Sequence, residues 1–66
     1  MQVHVNGEAM ERPDGEPLAA LLAALGADKN RVAVMVNEDV IPATERATRR
    51  LAADDRVEIL TFAGGG

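Results

Sequence analysis

The stretch Pro17-Leu18-Ala19-Ala20-Leu21-Leu22-Ala23-Ala24-Leu25-Gly26 decides the fold of this 66-residue chain. Leu18, Leu21, Leu22 and Leu25 recur at i, i+3, i+4 and i+7, so a helix gathers them into one apolar stripe, with alanines at most remaining positions. Pro17 suits the first helical position, and Gly26 suits the residue just past the end. Glu16 places a negative charge where a helix N-terminus favours one. Four fully buried leucines at about 1.5–3 kcal/mol each would contribute of order 6–12 kcal/mol before entropy. One amphipathic helix has one stripe to bury, so the flanking segments must supply the surface that covers it.

On the N-terminal side, Met1, Val3 and Val5 alternate with Gln2, His4 and Asn6, the pattern of a half-buried strand. Asn6-Gly7 follows and signals a type I′ hairpin, whose two central residues both need positive φ. Glu8 to Arg12 reads as the return strand with Met10 turned inward, closed by the turn residues Pro13-Asp14-Gly15. On the C-terminal side, beyond the polar loop Ala27-Asp28-Lys29-Asn30, Val32-Ala33-Val34-Met35-Val36 is a strand. Its valines face the helix, with Ala33 and Met35 on the far face. Asn37-Glu38-Asp39 turns the chain into a brief strand, Val40-Ile41-Pro42, which the proline confines to an edge. Residues 43–50 are polar and suit a helical turn or two, with Glu45 and Arg49 spaced for an i, i+4 pair and Leu51 as a plug beneath. Asp54-Asp55 makes the next turn. Arg56 to Phe62 is the last strand, and it runs straight into glycines.

The resulting order, β-β-α-β-β-β, gives an α+β fold of the β-grasp (ubiquitin-like) class. One main helix packs on a mixed four- to five-stranded sheet, and the last strand pairs in parallel with the first. Residues 1–62 form the domain, and residues 63–66 form a flexible Gly-rich tail.

A domain of this size buries only about 60% of its unfolded surface, which leaves little capacity for a deep, water-excluding active site. Seven basic against eleven acidic residues give a net charge of -4, which argues against a nucleic-acid binder. The absence of cysteine removes disulfides and thiolate metal sites and suits a reducing compartment. Met1 to Val5 has neither a basic leader nor a long apolar run, and no stretch has the apolar length of a membrane span. A cytoplasmic module that works with partners is expected.

Phe62-Ala63-Gly64-Gly65-Gly66 then acquires meaning. As a bare run of glycines it reads first as a frayed end. Hung from a folded body, Ala63 to Gly66 makes a slender stalk reaching roughly 13 Å when extended, and glycine backbones enter clefts that bulkier residues cannot. Ordering three glycines costs roughly 3–6 kcal/mol, so the body must dock as well. The best docking candidates face away from the helix: Met35, Leu60 and Phe62, the sole aromatic residue. His4, the lone histidine, has no partner at catalytic spacing and reads as a surface residue. Arg46, Arg49 and Arg50 read as a solvated face before they read as an acidic partner's contact.

Several landmarks in order resemble one family, the ThiS-type sulfur carriers of thiamin (thiazole) biosynthesis. They are Val5-Asn6-Gly7-Glu8, then Leu18-Ala19-Ala20-Leu21-Leu22 with Leu25-Gly26, then Val34 to Asn37 with Val40-Ile41-Pro42. Arg56-Val57-Glu58-Ile59 and Gly65-Gly66 complete the set. Two positions depart from the family pattern: Arg46 lies near a place usually aromatic, and Asp54 stands where glycine is usual, a position in αL that aspartate tolerates. The resemblance implies that Gly66 is the modified residue, its carboxylate adenylated and converted to a thiocarboxylate, with Gly65, Gly64 and Ala63 as its approach. It implies three partners: a ThiF-like adenylating enzyme that uses ATP and Mg, a sulfur-donating protein, and a ThiG-like thiazole synthase. The chain itself would bind no cofactor or metal and supply no catalytic residue. Alternatives are a MoaD-like carrier of molybdopterin synthesis, whose chains are usually longer, or a β-grasp interaction module or ubiquitin-like modifier.

Overall fold

The computed structural model describes residues 1–29 and 31–62. Strand β1 (Gln2–Val5) and strand β2 (Glu8–Glu11) form the first hairpin, followed by helix α1 (Leu18–Ala24) and a 3-10 turn at Ala27–Lys29. Strand β3 (Val32–Val36), strand β4 (Asp39–Val40), a second 3-10 turn at Ala43–Glu45 and strand β5 (Arg56–Thr61) complete the chain. The five strands make one sheet in the order β2-β1-β5-β3-β4. The β1–β5 pair is parallel, and the other pairs are antiparallel. The expected β-grasp is therefore present, with the last strand at the sheet centre.

Alternation builds the core. Val3 and Val5 from β1, Val32, Val34 and Val36 from β3 and Val57 from β5 are all buried against Leu18, Leu21 and Leu22 of the helix, with Ile41 and Leu51 closing the sides. Asn6 and Gly7 both have positive φ (49° and 85°), as a type I′ turn requires. The same backbone recurs at Asn37 and Glu38 (50° and 73°), which joins β3 to β4 in the register Val36 opposite Asp39. Asp54 takes φ 67°, so it does occupy the left-handed position.

The helix is shorter than its leucine stripe. It ends at Ala24; Leu25 is its C-cap, and Gly26 at φ 74° turns the chain away. Leu25 is accordingly 43% exposed, at the rim of a groove of about 340 Å³ shared with Met10, Ile59 and Thr61. Three leucines, not four, anchor the core. Pro17 sits one position earlier than expected, as an N-cap with extended backbone (ψ 143°) and no side-chain capping bond.

The first helical donors are satisfied from elsewhere. Leu18 N–H donates to the Arg49 carbonyl and Ala19 N–H to the Arg46 carbonyl, both at 2.8 Å. Leu51 N–H donates to the Glu16 carbonyl at 2.9 Å, and the Arg50 guanidinium donates to the Gly15 carbonyl at 3.0 Å. The polar segment 43–50 thus caps the helix. Arg46 also turns inward, donating to the Val32 carbonyl at 2.8 Å, so it departs from the solvated face expected of this segment, whereas Arg50 stays exposed as it holds the Gly15 carbonyl. Glu45 and Arg49 make no ion pair among the described residues.

Glu16 does more than bias a helix dipole. It is 8% exposed and receives two bonds from Arg12, Nε to Oε1 at 2.7 Å and Nη2 to Oε2 at 2.6 Å. This fork spans the Pro13-Asp14-Gly15 turn and ties the end of β2 to the start of the helix. The Arg12 hydrogen bonds hold the Glu16 carboxyl below its usual range, against the opposing effect of burial. Among the described residues no helix is long and apolar enough to cross a membrane.

Candidate functional site: the end of the last strand and the open sheet face

The expected site has two parts, a tail and the surface beside its root. Ala63, Gly64, Gly65 and Gly66 lie outside the described residues. The root is described. On β5, Val57 is buried and Ile59 partly buried on the helix side, while Leu60 and Phe62 point to the open face at 55% and 61% exposure. Phe62 N–H donates to the Arg31 carbonyl at 3.1 Å, so pairing with the β3 side extends to the last described residue.

Register fixes what lies beside Leu60 and Phe62. Ala33 is opposite Leu60, Met35 is opposite Glu58, and on its other side Met35 faces Val40. Because partners across a ladder share a face, Phe62, Leu60, Ala33, Met35 and Val40 form one apolar stripe across β5, β3 and β4. Met35 is half-buried within it, and Val40 is 69% exposed. The three predicted docking residues therefore share one face, and Val40 is the member the sequence reading did not single out. The I′ turn at Asn37-Glu38 carried the signal, because a two-residue loop places Val40 opposite Met35 and hence on its face.

Charge borders this stripe. Arg56 and Glu38 approach to 3.6 Å as an exposed pair, and Glu58 lies between Arg56 and Leu60 on the same face of β5. His4 sits across from Arg56 in the β1–β5 register, half-buried over a shallow depression of about 270 Å³ that it shares with Gly7, Arg56, Val57 and Glu58. His4 was read as a solvated surface residue and is instead half-buried, and no carboxylate or hydroxyl side chain hydrogen-bonds it among the described residues. Likewise no group of three potential metal ligands occurs among the described residues.

Two asparagines clasp β5, and sequence reasoning saw only their turns. Asn37 Oδ1 accepts from Arg56 N–H at 2.9 Å, and its Nδ2 donates to Asp55 Oδ1 at 2.8 Å. The second Asp55 carboxylate oxygen accepts from Ala52 N–H at 2.8 Å, which shapes the turn into β5. At the other end, Asn6 Oδ1 accepts from Ile59 N–H at 2.8 Å, while Asn6 Nδ2 donates to the Ile59 carbonyl at 3.3 Å. The strand that leads to the tail is thus held on both edges.

Comparison with known proteins places this arrangement. Residues 3–66 match the ThiS family model. The chain is 36% identical to a thiazole synthase of Magnetococcus marinus and 35% identical to a thiazole synthase of Paramagnetospirillum magneticum. Both matches cover all 66 residues here but 20% of each relative, so the chain spans about one fifth of their length. Among solved structures it is similar to the crystal structure of a thiamine biosynthesis protein (ThiS) from Geobacter metallireducens. That match has a TM-score of 0.85 and 29% identity, with all of both chains covered. An NMR solution structure of a thiamine biosynthesis protein from Geobacter metallireducens matches with a TM-score of 0.78 and 30% identity, covering 100% of this chain and 88% of that one.

Proposed function

The chain belongs to the ThiS family of thiamin-biosynthesis sulfur carriers, and from that premise we propose that its Gly66 carboxylate is the group that carries the sulfur. A carboxylate is a poor acyl donor, because its charge is delocalised and repels nucleophiles. With an ordinary pKa of about 3.3–3.7 it is ionised at neutral pH, and one oxygen attacks the α-phosphate of ATP while pyrophosphate leaves. A ThiF-like adenylating enzyme supplies the Mg-ATP site for this step. A persulfide on a donor protein then displaces AMP from the acyl-adenylate to form an acyl disulfide. A thiol reductant attacks the donor-side sulfur, so that the S–S bond breaks, the donor leaves as a disulfide with that thiol and a thiocarboxylate remains on Gly66. The softer sulfur is delivered to a ThiG-like thiazole synthase, a partner suggested by the names of the two bacterial relatives. The chain acts throughout as a cosubstrate.

The observation that carries this reading is the family match over residues 3–66, which takes in Gly64, Gly65 and Gly66. The body's part is presentation. The apolar stripe of Phe62, Leu60, Met35 and Val40 begins at the root of the tail, and its burial against a partner would offset the roughly 1–2 kcal/mol per residue needed to order that tail. In ATP–pyrophosphate exchange, a ThiF-like enzyme should turn over only with the carrier, and deletion of Gly66 should abolish the exchange. Exchange that persists without Gly66 would refute the assignment. Capture of a thiazole synthase in preference to a molybdopterin synthase large subunit should separate this carrier from a MoaD-like one.

A further inference from the structure

Strand β5 has unequal edges. On the β3 side its pairing runs from Val57, opposite Val36, out to Phe62. On the β1 side the ladder stops at Val5 opposite Val57, because Asn6 and Gly7 at positive φ turn the chain into β2. Asn6 N–H still reaches the Val57 carbonyl at 2.9 Å. Its main chain follows β5 no further.

The Asn6 side chain continues where the backbone leaves. A carboxamide presents one acceptor and one donor arm, like a peptide unit. Asn6 directs both at a single residue, accepting from Ile59 N–H at 2.8 Å and donating to the Ile59 carbonyl at 3.3 Å. The effect is to lengthen the parallel pairing by two residues, from Val57 to Ile59, three residues short of Phe62. Turn chemistry alone does not demand asparagine, since Asp-Gly and Gly-Gly also make type I′ turns. Only asparagine among these offers both an acceptor and a donor to Ile59; aspartate would set a carboxylate oxygen against the Ile59 carbonyl, and glycine would offer nothing.

We propose that Asn6 is a positioning residue for the tail, fixing the direction in which β5 delivers it to the adenylating enzyme; this rests on the carrier function above. Asn6 touches no reacting group. It lowers the cost of ordering the root before the carrier meets its partner.

Two variants test this, Asn6→Gly and Asn6→Asp, both compatible with the turn. The carrier KM in ATP–pyrophosphate exchange with the ThiF-like enzyme should rise about three- to ten-fold, as expected for losing one or two neutral hydrogen bonds, at unchanged kcat. Ile59 amide exchange should accelerate well beyond any change in global unfolding. Unchanged KM in both variants overturns the proposal while leaving the carrier function intact. Ile59 exchange that merely tracks global opening assigns Asn6 a purely structural role and also overturns it. If the wild-type protein supports no exchange, the carrier reading fails first and the positioning role falls with it.

Discussion

Replacing Phe62 by serine separates docking from folding. Phe62 is 61% exposed beyond the last residue of β5, and it lies outside the buried cluster. Its loss should therefore change stability by no more than about 0.5 kcal/mol. Binding should respond differently. A phenylalanine presents roughly 200 Å² of surface, so the exposed part amounts to about 120 Å² that a docked partner would cover. At about 25 cal/mol per Å² this area corresponds to ~3 kcal/mol, or about a hundred-fold in affinity at 1.4 kcal/mol per ten-fold. That is an upper figure, since serine retains some contact and the interface can relax. Titration calorimetry against the ThiF-like enzyme should give a ten- to hundred-fold weaker Kd, with the urea midpoint of the free variant unchanged. Wild-type affinity in Phe62→Ser would refute the use of this face for docking, and a collapsed midpoint would refute the reading of Phe62 as outside the core.

Other expectations follow from particular contacts. Leu21→Ala should cost about 2–5 kcal/mol, whereas Leu25→Ala, at the exposed helix end, should cost under about 1 kcal/mol; urea denaturation of the pair would expose an error if the costs were similar. For Glu16, whose carboxyl is held below the ordinary value of 4.5 by Arg12, the pair's contribution is fully present above that value. It is lost as pH falls through the depressed folded-state value. Thermal unfolding across pH 7 to 2 should therefore show Glu16→Gln less stable than wild type at neutral pH, with the gap closing in acid; a gap independent of pH would contradict the pairing. Val40→Ser should leave the urea midpoint nearly unchanged and weaken partner binding less than Phe62→Ser, since Val40 lies farther from the tail root on the same stripe. Equal or greater weakening would shift the centre of the docking face toward β4.

The main features of the fold were legible because periodicity and turn chemistry agreed. Val32 to Val36 alternates cleanly, Asn6-Gly7 admits one kind of hairpin, and a single helix implies a single sheet face. The stripe of Leu18 to Leu25 misled by one residue for a local reason. The helix ends at Ala24 and Gly26 takes a left-handed backbone, so Leu25 is left as the 43% exposed C-cap, and spacing alone carries no information about where the helix stops. Within segment 43–50 Arg46 misled for a tertiary reason, while Arg50 is exposed as read. Arg46 and Arg50 meet carbonyls of Val32 and Gly15, residues 14 and 35 positions away, which no local pattern encodes. The Arg12–Glu16 fork has i, i+4 spacing, yet the Pro13-Asp14-Gly15 turn between its members hides it from a helical reading. Side-chain ladders such as Asn6 to Ile59 join residues 53 positions apart and become visible only once β1 and β5 are neighbours. The open-face stripe was half legible, since alternation assigned Leu60, Phe62 and Met35 a face, while Val40 needed the register of the second hairpin.

The central claim, that this fold presents Gly66 for sulfur loading, is tested most directly by intact-mass analysis. The protein would be coexpressed with a ThiF-like enzyme and a sulfur source, then fragmented to locate the change. The account predicts a mass gain equal to exchange of one oxygen for sulfur, confined to Gly66 and absent when one residue is appended after it, with the appended protein folded normally. An unmodified Gly66 with every compatible adenylating enzyme, or an isopeptide to a lysine in place of the thiocarboxylate, would contradict it.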